Sequence, residues 1–213
     1  MLHKETITPE LLEVLQSLMS MDELATFQLV GGTAIALQLG HRKSIDIDLF
    51  SNKKVDLRLI SRSLKDKFPE LTNMTLTQTN VGAFIKGVRV DIYDNWLIPF
   101  RKPAIVEEGV RLSALEDLAA FKLSAIIGRR EKKDYIDLYF LFKHLGGDKM
   151  LSSFKSYEPL LSDKSLLFAL AEVDTARDNP TPMPEMLIDV NWEEIRELIT
   201  YECRDYLKKL SKN

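Results

Sequence analysis

The stretch Leu29-Val-Gly-Gly-Thr-Ala-Ile-Ala-Leu-Gln-Leu-Gly-His-Arg-Lys-Ser-Ile-Asp-Ile-Asp-Leu-Phe50 decides the fold. Its first two residues close an apolar run, Phe27 to Val30, that reads as a short strand stopped by Gly31-Gly32. Thr33 then opens an apolar helix through Ala34, Ile35, Leu37 and Leu39, which ends at Gly40. From Ser44 to Phe50 the pattern alternates, so Asp46 and Asp48 leave one face of a strand. Ile45, Ile47 and Leu49 leave the other, toward a core. Glycines between a strand and a helix let the backbone approach a ligand closely. The N–H groups at the helix start favour an anion such as phosphate, and Thr33 adds a hydroxyl. Two carboxylates on one face cost stability unless a cation sits between them, and hard oxygen donors suit Mg²⁺. Each feature alone has a plainer reading, a simple turn and a solvated amphipathic strand.

Working outward, Thr8 and Pro9 open an amphipathic helix over residues 8–20 carrying Leu11, Leu12, Leu15 and Leu18. A second helix spans about 56 to 67 and halts before Pro69. Residues 73–93 change character: Met74 and Leu76, Val81 to Ile85, and Val88, Val90 and Ile92 read as successive strands of a meander, with Lys86-Gly87 as a turn. Asp91 falls on the polar face of the last strand. If that strand lies beside 45–50, Asp46, Asp48 and Asp91 form a triad able to hold two metal ions about 4 Å apart. Asp94 competes for the third place, but it falls at the expected strand end. From about Ser113 the signal is helical, with further helices near 132–144, 150–161, 164–172 and 191–210 and a proline-rich loop, Asn179 to Pro184.

Lys122 lies on the apolar stripe of its helix, beside Leu118, Ala119 and Ile126, where a cation faces inward either by snorkelling or to hold phosphate. Asp134 and Asp137 sit one turn apart in an apolar helix and need partners there. The i, i+4 pairs Arg130 with Asp134 and Lys133 with Asp137 would be the plain structural solution. His3, His41 and His144 show no ligand spacing. Tyr135, Tyr139, Phe140 and Phe142 read as packing, and the roles of Trp96 and Trp192 stay open.

Gly-Gly-Thr, a spacer, Asp-x-Asp and a later apolar-Asp-apolar strand resemble the nucleotidyltransferase signature of the DNA polymerase β superfamily. GGTAIALQLGHRKSIDIDLF with the later KLSAIIGRREKKDYIDL resembles the AbiEii/AbiGii toxins of type IV toxin–antitoxin systems, over roughly residues 25–145. The resemblance implies an α+β fold, a mixed sheet flanked by helices, followed by a helical C-terminal half. Residues 1–112 are expected to form the core and 113–213 a helical region packed on it and contributing to the active site. It also implies that Lys122 and Asp134 act there, with Asp137 mainly structural.

The implied reaction moves NMP from an NTP to an acceptor hydroxyl and releases pyrophosphate. Asp46, Asp48 and Asp91 would hold two Mg²⁺ ions, with Mn²⁺ as a substitute. Gly31, Gly32, Thr33, Lys122, Arg129 and Arg130 would bind the nucleotide. A tRNA 3′ end is one acceptor the resemblance allows; a protein hydroxyl or an aminoglycoside stays open. A cognate antitoxin would be the partner. The alternatives are a non-catalytic nucleotide- or protein-binding module of the same fold and metal-dependent phosphodiester hydrolysis.

Composition sets the frame for all of this. With 213 residues, 45% hydrophobic and 29% charged, the chain excludes disorder, collagen and disulfide scaffolds. One cysteine, Cys203, excludes an internal disulfide and a structural zinc cluster. The opening MLHKETITPE lacks the apolar core of a signal peptide, and charge interrupts every long apolar stretch, so a cytoplasmic protein off the membrane is expected. A net charge of −3 gives no global field for nucleic acid. An RNA acceptor would need a local basic surface, expected around Arg101, Lys102, Arg129, Arg130, Lys132 and Lys133.

Overall fold

A computed structural model describes residues 1–94 and 100–212, with only the backbone given for Ser152 and Ser153. Trp96 lies outside the described residues. The chain separates into two compact units, Met1–Ala114 and Leu115 onward, two residues past the expected division.

The first unit is a mixed sheet with helices. Helix α1 (Pro9–Met19) has Pro9 in its first turn and Thr8 at its N-cap, whose hydroxyl accepts the Leu11 N–H, the start the sequence predicts. Strand β1 (Gln28–Val30) runs directly into α2 (Gly31–Leu39), and Gly40, in the left-handed region at φ 69°, ends that helix. Strand β2 (Asp46–Ser51) and helix α3 (Leu57–Lys67), capped by the Asp56 carboxylate, follow. Strands β3 (Thr72–Leu76), β4 (Asn80–Ile85) and β5 (Val88–Asp94) form the meander. Lys86 and Gly87 both take positive φ at its two-residue turn, which matches the strand twist.

Among the described residues the sheet has seven strands in the order β3-β4-β5-β2-β1-β7-β6. The last hairpin, β6 (Ile105–Glu107) and β7 (Val110–Leu112), adds two strands beyond those the sequence pattern predicts. It turns at Glu108-Gly109, again with positive φ at both residues. Strand β7 runs parallel to β1, with Leu29 beside Leu112. The Arg111 guanidinium fastens it further, donating to the backbone carbonyls of Met19, Leu24 and Phe27.

Alternation holds on β2, where Ile47 and Leu49 are fully buried, as are Leu15, Leu18, Phe27 and Ile35 of the same unit. It does not extend to Ile45, which is 70% exposed because it precedes the strand and is free of its pleat.

The second unit is helical: α4 (Leu115–Gly128), α5 (Lys132–Leu145), α6 (Gly147–Tyr157), α7 (Asp163–Ala171), α8 (Val173–Asp178) and α9 (Trp192–Leu210). Helix α5 is apolar nearly all round because α4, α6, α8 and α9 pack against it. Tyr135, Tyr139, Phe140 and Phe142 are buried packing residues, as expected. The short α8 was not foreseen. Among the described residues no helix is long and apolar enough to cross a membrane.

Candidate active site

Strand register assembles the acidic face. β2 and β5 pair in parallel, with Asp46 beside Arg89 and Asp48 beside Asp91, about 4.8 Å apart as neighbouring strands are. On the other side of β2, antiparallel pairing sets Asp48 beside Val30, so Gly31 follows directly next to Asp48. Two glycines make room for the carboxylates. At Gly31, φ is 69°, and a Cβ would collide with Asp48 Oδ2. Gly82 on β4 lies opposite Asp91, and a Cβ there would stand 2.9 Å from Asp91 Oδ1 and from Thr75 Oγ1.

Asp46 and Asp48 are half-buried, whereas Asp91 is 7% exposed. Burial of a carboxylate requires a partner, and Arg89 supplies it: its Nε donates to Asp91 Oδ2 at 2.8 Å. Asp91 first, with Asp46 adding, raises the Arg89 pKa further above its ordinary value. One step along the strands, Phe50 and Tyr93 meet edge to face, 5.2 Å between ring centres. Asp94 pairs in register with Ser51, out of step with Asp46 and Asp48, and therefore belongs to the opposite face. Strand parity, legible in the sequence, excludes it more firmly than its place at the strand end.

The diglycine forms the first turn of α2 rather than a loop before it, and no side chain caps that turn through Val30. Its amides therefore keep the arrangement that suits an anion. The structure corrects the role of Thr33. That side chain is 1% exposed; its hydroxyl meets Ser44 Oγ at 2.8 Å and donates to the Asp46 carbonyl. It positions the start of β2 instead of reaching out to phosphate.

The second unit carries a separate charge cluster. Lys122, 5% exposed, places Nζ 2.7 Å from Asp134 Oδ1 and 2.8 Å from Asp137 Oδ2. Arg129 binds Asp134 as well, through Nε at 2.8 Å and Nη2 at 3.1 Å. Burial alone would raise the Asp134 pKa; Lys122, then Arg129, outweigh it and hold the carboxyl below the usual carboxylate range. The expected i, i+4 pairs give way to this network: Arg130 donates to the Ile127 carbonyl, and Lys133 meets Glu131. Asp137 is as much a member as Asp134.

Of the expected basic surface, Arg101 and Lys102 are exposed. Lys132 instead holds the Asn179 and Thr181 carbonyls, anchoring the proline-rich loop. Burial, with Glu202 adding, pushes the Cys203 thiol up to about 12, which favours the protonated form.

For a divalent cation, the donors on the sheet face are the right kind, hard carboxylate oxygens from neighbouring strands. Their side chains are not drawn together around one point: among the described residues no three His, Cys, Asp or Glu side chains form a metal-holding group. Asp48 lies over Gly31 and Asp91 over Gly82, so the two lean to opposite sides of the β2–β5 pair. The donor set fits Mg²⁺ in chemistry and register, and requires a side-chain rotation to close.

Residues 13–106 match the family described as nucleotidyl transferase AbiEii toxin, type IV toxin–antitoxin system. The expected family, and with it the class of nucleotidyltransferases, is met over that stretch. An uncharacterized protein of Aquifex aeolicus is 27% identical over 208 residues, 92% of this chain and 95% of the relative. The solved structure of a putative nucleotidyltransferase from Helicobacter pylori is similar in fold. Its TM-score is 0.62 at 20% identity, covering 99% of this chain and 95% of that one. The toxin MenT4 of Mycobacterium tuberculosis, a nucleotidyltransferase, shares the fold at TM-score 0.52 and 14% identity, over 90% of this chain and 82% of its own.

Proposed function

We propose, on the premise that residues 13–106 are AbiEii-type nucleotidyltransferase sequence, that the chain transfers NMP from an NTP to an acceptor hydroxyl with Asp46, Asp48 and Asp91 holding Mg²⁺. One observation carries this reading: the β2–β5 register sets Asp48 beside Asp91 while β1 delivers Gly31 to the same place. In the reaction the acceptor oxygen bonds to the α-phosphorus, the bond to the bridging oxygen breaks, and pyrophosphate leaves. The acceptor's proton passes to solvent beside Asp91. Bound Mg²⁺ would neutralise charge on the attacking and leaving oxygens and lower the acceptor's pKa. The backbone N–H groups of Gly31 and Gly32 receive the β and γ phosphates. Asp46 and Asp48 would hold the metal, Gly31 admits Asp48, and Thr33 holds the Asp46 backbone.

Lys122 and Asp134 enter this reading as a structural pair, since each is bound to the other in the interior of the second unit. The acceptor in this reading is an RNA 3′ hydroxyl, and the toxin–antitoxin family supports a cognate antitoxin as the opposing partner.

The test is incubation of the protein with each labelled NTP and Mg²⁺, first with total RNA and then with total protein. Label should enter RNA. Asp48→Asn should reduce transfer about a thousandfold, the loss of several kcal/mol of charge stabilisation, without lowering the melting temperature. Wild-type turnover in that variant would remove the proposal. Tight NTP binding with no pyrophosphate released would favour the non-catalytic module.

A further inference from the structure

The metal reading leaves one feature unexplained: Asp91, the carboxylate that must turn toward Asp48, is held facing away from it. Two contacts hold it. Arg89, two residues earlier on the same face, binds Oδ2 at 2.8 Å, and the missing side chain of Gly82 leaves the space that Oδ1 fills on the β4 side. Thr75 Oγ1 borders that space. Arg89 also neighbours Asp46 in register, so its guanidinium, bound to Asp91, lies within electrostatic reach of Asp46 as well.

We propose that Arg89 and Gly82 form a parking position for Asp91 which a divalent cation must undo, so that Arg89 and the metal compete for one carboxylate. Arg89 is then a positioning residue. In the metal-free protein it satisfies a buried carboxylate and relieves repulsion from Asp46 and Asp48. On metal entry Asp91 rotates off Gly82 toward Asp48, and the Arg89 side chain, 56% exposed, swings into solvent. The exposed arm suits this role, since the Arg89 guanidinium can exchange its half of the pair for water, whereas one buried together with Asp91 would lock the site shut.

The inference rests on the metal assignment above, and the test separates the two. Free Mn²⁺ is followed by electron paramagnetic resonance as the metal alone is titrated into the wild-type protein and into Arg89→Gln, Gly82→Ala and Asp91→Asn. Arg89→Gln should bind Mn²⁺ about fivefold more tightly, because no ion pair has to break. Gly82→Ala, which alters no charge, should also bind more tightly by crowding Asp91 out of its place. Affinity unchanged or weakened in Arg89→Gln overturns the proposal. Tighter binding there with none in a folded Gly82→Ala does so too, leaving only through-space repulsion. If Gly82→Ala fails to fold, the Arg89→Gln titration is repeated in 0.05 and 0.5 M KCl. A gain that survives high salt supports the contact, and one that vanishes overturns it. Wild-type affinity in Asp91→Asn, or no binding by any of the proteins, removes the metal assignment itself.

Discussion

On the sheet, Asp46 and Asp48 are half-buried, and the buried carboxylate of the three, Asp91, is bound by Arg89. In the helical unit, Asp134 and Asp137 are wholly buried, and Lys122 and Arg129 meet them at 2.7 to 2.8 Å. Taking a carboxylate out of water requires a cation or hydrogen-bond donors in contact, and Asp134 and Asp137 have Lys122 and Arg129, so the interior cluster is paired in charge and fixed in geometry. A half-buried face keeps water as an alternative partner and can wait for a ligand. The same residue type is thus locked into an ion-pair network in one unit and, at Asp46 and Asp48, left partly open to water in the other.

The sharpest way to break this contrast is to remove one cation from the interior cluster. Lys122→Met should cost about 3–5 kcal/mol in denaturant unfolding, since two buried carboxylates lose their shared partner. Asp46→Asn should stay within about 0.5 kcal/mol of wild type. Equal losses from both would mean that the sheet face is as closed as the interior.

Acid titration probes the same difference. The Asp134 pKa is depressed in the folded protein, so the stability it contributes is complete above the unfolded value of 3.8 and is lost as pH falls below that toward the folded value. Circular dichroism over that range should show Asp134→Asn with a shallower dependence than wild type.

A smaller loss is expected at the glycine between strand and helix. Gly31→Ala should destabilise by about 1–2 kcal/mol from its left-handed φ, and should impair transfer more than stability because the new Cβ displaces Asp48. Smallest of all, Lys133→Ala should change stability by less than about 0.5 kcal/mol, since its partner Glu131 is a partly exposed neighbour and not Asp137.

The sequence carried the elements whose signals are local. Thr8-Pro9, Asp56, Gly40 and Lys86-Gly87 all act within a few residues, and the period-two pattern located Asp46, Asp48 and Asp91 on polar faces. What it did not carry depends on which strand lies beside which. Gly82 appears as a weak point in a strand until register places it opposite Asp91, and Arg89 appears as a solvated cation until its reach is measured. The hairpin at Glu108-Gly109 escaped because its strands have three residues each and sit in a charged run. Its turn has the same backbone geometry as Lys86-Gly87, so the signal was present at the turn and too short at the strands. The partners of Asp134 were missed because the i, i+4 rule describes one helix, whereas Lys122 comes from the helix before it.

The hairpin that escaped notice also limits how the chain can be trimmed. Cutting at residue 106, where the recognisable family sequence stops, would pass through β6 and delete β7 with Arg111. Strand β1 would then lose its neighbour on that side and become a raw border, inviting self-association, while its end still has to steer the diglycine into place. A fragment meant to isolate the first unit should therefore retain everything through Ala114.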